Sequence, residues 1–211
     1  MSNIDSNLIF QRWNSLGPIV FDLGCGPNKK HPNWIGIDKD NHDGVDIQGD
    51  IFDVIKKIDD NSVDYIYTSH FLEHITDVGT LMSEITRVLK PGGTAEIIVP
   101  HFSNPYFYSD YTHKTFFGLY SLSYFATDKL FQRKVPTYHN LPDLLDLVDA
   151  KLVFKSTRPF YFRYALKRAI SYIFNINRYM QELYEENFTY LINCYEINFN
   201  LKKKSINSGE Q

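Results

Sequence analysis

The apolar run PIVFDL (residues 18–23) feeds directly into the glycine-rich turn DLGCGPN (22–28), and no other feature of the chain restricts its fold as much. A short buried strand that ends in glycines marks a place where the backbone turns tightly and another group comes close to it. Further short apolar runs follow at WIGID (34–38), VDI (45–47), VDYIYT (63–68) and TAEIIVP (94–100). Between the last two, DVGTLMSEITRVLKPGG (77–93) carries Val78, Leu81, Met82, Ile85, Val88 and Leu89 at helical spacing. Pro91-Gly92-Gly93 then predicts a helix that stops at Lys90. Strands alternating with helices or short crossovers imply an α/β, Rossmann-like fold, whose mostly parallel sheet holds ligands at the carboxyl ends of its strands. Only about ten residues separate the first two strands, so the first helix is expected to be one short turn or absent.

Farther on, LPDLLDLVDA (141–150) reads as another helix, KLVFKS (151–156) as a strand and CYEINFNLKK (194–203) as a late alternating strand. A length of 211 residues suits one well-buried domain. We take residues 1–205 as that domain, with 206–211 as a flexible polar tail. A hydrophobic share of 43% with 16% aromatic residues supports a packed core. The first fifteen residues lack a basic start followed by a long apolar run, and no stretch approaches the roughly 18 apolar residues of a membrane span. Two cysteines, Cys25 and Cys194, build no disulfide framework, so a cytoplasmic setting is expected. Charge divides unevenly: the first hundred residues hold 8 Lys and Arg against 15 Asp and Glu, the remainder 14 against 10.

What sharpens the glycine turn is an acid ending the second strand, Asp38, and another just after the third, Asp50. A carboxylate at the tip of the second strand is placed to accept hydrogen bonds from a ribose diol. With LEHI (72–75) and RVLKPGG (87–93) in the same order, residues 18–100 resemble class I S-adenosylmethionine-dependent methyltransferases. The resemblance implies a seven-stranded sheet with helices on both faces, a cofactor half over 1–100 and a substrate half over 101–205. It also implies that Asp22, Leu23, Gly24, Cys25 and Gly26 shape the methionine pocket of S-adenosylmethionine. Asp38 would hold the ribose and Asp50 the adenine amino group with Ile51 packing on the ring, Lys39 and Gly49 would be further cofactor-binding residues, and Ser69 and His70 would sit near the sulfonium. The turn departs from the family in having Asn28 where a third glycine often stands. A nicotinamide-dependent dehydrogenase, the nearest enzyme rival, needs room for a pyrophosphate over a helix N-terminus, which the short crossover does not offer well.

Methyl transfer from a sulfonium is an in-line displacement on an activated carbon, so a hydroxyl acceptor needs positioning and a proton acceptor. Histidine suits that task near pH 7. The stretch PHFSNPYFYSDYTHKTFF (100–117) follows the fifth strand and resembles a loop of surface-glycan pathway methyltransferases. His113 is the first candidate base, because Asp110 three residues earlier could orient its imidazole. His101 and His70 are further catalytic candidates, whereas His74 within LEHI reads as structural. His101, Asp110 and His113 could ligate a divalent ion, but no diagnostic spacing supports it and no metal is expected.

Residues 150–181 contain Lys151, Lys155, Arg158, Arg163, Lys167, Arg168 and Arg178 with no acidic residue, interleaved with eight aromatic side chains. If 160–175 is helical, Arg163, Lys167, Ser171 and Asn175 form a polar stripe that leaves an aromatic-aliphatic face. Three uses compete for this part of a C-terminal lid over 158–190. It could pack its apolar face on the core with the basic face solvated, steer an anionic acceptor, or make peripheral membrane contact. The expected activity is O-methylation of a small polar or sugar-like, anionic acceptor in surface polysaccharide biosynthesis. Alternatives are a tRNA or other nucleic-acid methyltransferase, which a net charge of −3 disfavours, and a non-catalytic cofactor-binding regulator.

Overall fold

The computed structural model describes residues 4–5, 9, 17–136, 144–156 and 159–205. Its centre is one sheet of strands β1 (Ile4–Asp5), β2 (Val20–Leu23), β3 (Ile35–Asp38), β4 (Ile47–Gln48), β5 (Val63–Ser69), β6 (Leu89–Pro100), β7 (Thr127–Asp128), β8 (Leu145–Val153) and β9 (Glu196–Lys203). They lie in the order β1-β4-β3-β2-β5-β6-β9-β8-β7. Strands β4 to β6 pair in parallel, while β9 runs antiparallel to both β6 and β8. The sheet therefore has nine strands rather than the expected seven, the excess being the two-residue edge strands β1 and β7.

From β2 the chain goes to β3 on one side, and the later β5 pairs on the other. This reversal opens a crevice beyond the carboxyl ends of β2 and β5, where open α/β sheets bind ligands. Burial follows from the sequence: Phe21, Leu23, Ile37, Ile66, Ile97 and Val99 are almost wholly excluded from water, as parallel strands covered on both faces require.

Helix α1 (Ile51–Ile55) starts at Asp50, whose side chain accepts from the Phe52 amide, and α2 (Val78–Val88) starts at Asp77, which accepts from Thr80. Such caps are each worth about 1 kcal/mol. Between β2 and β3 the described chain forms turns and no helix, in line with the short crossover. Helix α2 ends at Val88, two residues short of the expected Lys90, because Leu89 is already extended and β6 runs on through Pro91-Gly92-Gly93, with Gly92 at φ 81.

The helix expected over 141–150 is corrected: from Leu145 onward the chain is strand β8, and 141–143 lie outside the described residues. Leu145, Leu147, Ala150 and Leu152 are buried, with a register shift between Leu147 and Asp149. That shift moves the buried positions from odd to even, and the resulting spacing mimics a helical period. Between β8 and β9 lie α3 (Tyr161–Phe174) and α4 (Arg178–Asn187), the two helices of the expected lid.

Candidate active site

Two left-handed glycines shape the turn after β2, Gly24 at φ 66 and Gly26 at φ 53. They allow the amides of Gly24 and Cys25 to donate to the Ile37 carbonyl at the end of β3. Asp38 then accepts from the Gly26 amide (2.8 Å) and from Asp40 (2.9 Å), so the acid ending β3 is fixed against the glycine turn. Gly49 donates to the Asp38 carbonyl, which brings the β4 end beside it.

Beside these contacts lies a cavity of about 620 Å³, and the expected cofactor residues Gly24, Gly26, Ser69 and His70 are not among those that line it. Asp38, Lys39, Gly49, Asp50 and Ile51 form one wall; Phe71, His74, Thr112 and Lys114 face them. The cofactor candidates of the second and third strand ends thus converge. Asp22, Leu23 and Cys25 are buried beneath the turn instead, Asp22 accepting from the Lys30 amide with its pKa raised by burial. Burial also pushes the Cys25 thiol up to about 12, which keeps it protonated. The Phe71 ring sits directly on Gly24, and Ser69 closes β5.

The histidines separate by environment. His70 takes a left-handed conformation (φ 55) and is gripped by two acids, Glu196 at 2.9 Å and Glu73 at 3.4 Å. The bond to Glu196 and then the contact with Glu73 raise its pKa to about 9 against the effect of burial. It is therefore cationic near pH 7 and does not serve as a base there. Because the folded value lies above the ordinary 6.5, its contribution to stability is complete below about 6.5 and is lost as pH rises through about 9. Solvent screening keeps that contribution small, since the side chain is 40% exposed. Denaturant midpoints measured at pH 7 and pH 10 should fall more for the wild type than for His70→Gln; equal falls would dismiss the ion pair.

His101 is fully buried, with Nε2 2.9 Å from Glu185 on α4 and Nδ1 2.7 Å from Ser103. Burial keeps it from an acceptor, and the bond to Glu185 ties the segment after β6 to the lid. His113 hangs from the Phe107 carbonyl through Nδ1 (2.9 Å), which makes Nδ1 the protonated nitrogen and leaves Nε2 as the atom that exchanges a proton. Asp110 Oδ2 lies 3.7 Å from Nε2. The orienting group is thus a backbone carbonyl. Asp110 spends Oδ1 on the amide and hydroxyl of Thr112, which hold its carboxyl below the usual range.

His74, read from the sequence as structural, lines the cavity. Thr112 donates its hydroxyl to Asp110 (2.6 Å), so it must accept from His74 Nδ1 (3.0 Å), and His74 Nε2 is bare. The His74 and His113 rings meet edge to face at 4.8 Å. Their meeting depends on Glu73, whose carbonyl accepts from the amides of Lys114 and Thr115. Glu73, His74 and His113 offer ligand atoms all within 4.8 Å of one another, a grouping that could hold a metal ion; His101 is not part of it. The Glu73 carboxylate is fully buried, and neither oxygen completes a hydrogen bond among the described residues. The His70 cation beside it supplies the compensating charge. Glu73, His74, Thr112 and Lys114 escaped sequence reasoning, although LEHI contains the first two; only the approach of the 110–117 loop gives them a role.

A family model described as a methyltransferase domain matches residues 31–97. No curated protein matches the chain. Among solved structures, it is similar to an S-adenosylmethionine-dependent methyltransferase from Archaeoglobus fulgidus at 19% identity, covering 92% of this chain and 90% of that one, with a TM-score of 0.58. A complex of the Haloferax volcanii Trm112 methyltransferase activator with a putative methyltransferase gives 15% identity, 95% and 93% coverage and a TM-score of 0.51. Phosphoethanolamine N-methyltransferase 2 of Haemonchus contortus, bound to S-adenosylmethionine, gives 16% identity and a TM-score of 0.50, with 94% of this chain covering 51% of that one. The structural likenesses show the fold, and residues 31–97 match a methyltransferase domain.

Proposed function

We propose that the chain moves the methyl group of S-adenosylmethionine onto a hydroxyl of a small, sugar-like, anionic acceptor, as in surface polysaccharide biosynthesis. The carrying observation is the loop that closes the cavity. It brings Tyr111, Thr112 and Lys114 to the cavity wall, with His113 between the last two in sequence and its ring packed on His74 and Phe107. The exposed Tyr111 ring at the cavity suits the C–H face of a sugar, and the Lys114 ammonium suits a phosphate or carboxylate. Asp38 and Asp50 would hold S-adenosylmethionine, which would supply an activated methyl group for in-line transfer and leave as S-adenosylhomocysteine, while His113 Nε2 would take the proton of the acceptor hydroxyl. Both cysteines are free and buried, consistent with a cytoplasmic setting for this reading.

Methyl-labelled S-adenosylmethionine incubated with a panel of phosphorylated and nucleotide-linked sugars tests it. One of them should gain label on oxygen, with equimolar S-adenosylhomocysteine. Label appearing only on nucleic acid, or no turnover by a protein that binds the cofactor, would refute it.

A further inference from the structure

Helix α3 is mounted opposite to the ordinary amphipathic arrangement. Three of the four residues of its polar stripe face the protein, Arg163 being exposed: Lys167 donates to the carbonyl and side chain of Asn193, Ser171 to the Leu152 carbonyl, and Asn175 both donates to that carbonyl (2.7 Å) and accepts from the Leu152 amide (3.0 Å). Phe174 is the only residue of the helix that is buried. Of the three competing uses, packing of the whole apolar face on the core is not what the structure shows, although Phe174 and Ile170 do pack there. Leu152, the next-to-last residue of β8, offers backbone groups that polar side chains satisfy and hydrocarbon would not.

The opposite face is left to solvent. Phe162 is 82% exposed, Tyr172 77% and Tyr161 69%, with Leu166 and Ile173 about half exposed. Arg163 and Arg168 stand exposed among them. A contiguous aromatic and aliphatic face of this kind marks an interaction site.

We infer that this face of α3 docks on an anionic lipid bilayer, with the helix lying in the headgroup plane. Aromatic and aliphatic side chains enter the boundary between headgroups and acyl chains, while arginines reach lipid phosphates along their own apolar stems. Charge selects this occupant. Residues 150–181 contain no carboxylate although the whole chain stands at −3, and with Lys167 bound inward to Asn193 and Arg178 paired with Asp149, Arg163 and Arg168 are the exposed cations of the helix. A two-fold pairing of this face with a second copy would set Arg163 and Arg168 against their own equivalents with no acid in the segment to offset them. No helix among the described residues is long and apolar enough to cross a membrane, so the contact is peripheral. The inference does not depend on the acceptor proposed above.

Co-sedimentation of the full chain with vesicles of phosphatidylcholine, alone or mixed with phosphatidylglycerol, tests it. The wild type should pellet with the anionic vesicles, remain largely in solution with the neutral ones, and release as salt is raised. The partition coefficient should fall about tenfold or more in Arg163→Glu/Arg168→Glu, which reverses the charge of the face. A comparable fall is expected in Phe162→Ser/Leu166→Ser, which removes apolar contact alone. All four positions are exposed, so folding should survive, and an unchanged melting temperature checks it. Wild-type protein that ignores anionic vesicles, or variants that pellet like the wild type, would overturn the inference. So would a wild-type dimer that the Phe162→Ser/Leu166→Ser variant dissolves without any loss of vesicle binding.

Discussion

Replacing His113 by Asn should lower turnover by about 10²–10⁴, the usual contribution of a positioned proton acceptor, and leave S-adenosylmethionine affinity within about twofold. Asn is the informative choice, because its side-chain amide can reproduce the Nδ1–H bond to Phe107 while having nothing at Nε2 that takes a proton. A variant that is slow but melts with the wild type therefore separates chemistry from support of the loop. The loss should fall on kcat with KM little changed, and supplementing divalent metal should not restore it. Wild-type turnover in His113→Asn would remove this residue from the reaction and leave His74, which also presents a bare Nε2 at the cavity, as the remaining imidazole.

The second large effect is expected at Gly24. A Cβ there would lie 2.3–2.7 Å from Cδ2, Cγ and Cβ of Phe71, and the residue would also have to hold φ 66. The backbone penalty alone is about 1–2 kcal/mol for a residue with a side chain, and displacing the Phe71 ring adds about 1–3 kcal/mol. Gly24→Val should thus lose about 2–5 kcal/mol of unfolding free energy by denaturant titration and bind cofactor poorly, with Phe71 pushed toward the cavity. Gly26 is the control: it has φ 53 but nothing within 4 Å of a Cβ, so Gly26→Ala should cost only the backbone part. Equal losses at the two positions would mean that the Phe71 contact does not constrain the turn.

Local features were legible. The glycine turn, Asp38 and Asp50 sit at strand ends that short apolar runs announce, and the structure brings Asp38 and Asp50 to one cavity because β2, β3 and β4 pair in parallel register. Features settled by partners far along the chain were not. LDLVDAKLV became a strand because β9, some fifty residues later, supplies its antiparallel ladder. The amphipathic pattern of α3 was visible, yet which side turns inward depends on the Leu152 backbone that Ser171 and Asn175 satisfy. His74 was read as structural because its partner Thr112 arrives on a loop anchored to the Glu73 carbonyl by Lys114 and Thr115. Apolar periodicity reports burial and carries no trace of such hydrogen bonds.

The central claim is that the cavity between Asp38, Asp50 and Phe71 holds S-adenosylmethionine. Calorimetric titration of S-adenosylmethionine into the wild type and into Asp38→Ala tests it most directly. One molecule should bind per chain, and Asp38→Ala should weaken binding by about 1–3 kcal/mol, the worth of hydrogen bonds to a charged group. Absence of heat and of saturation at millimolar cofactor, or equal affinity in the two proteins, would contradict it.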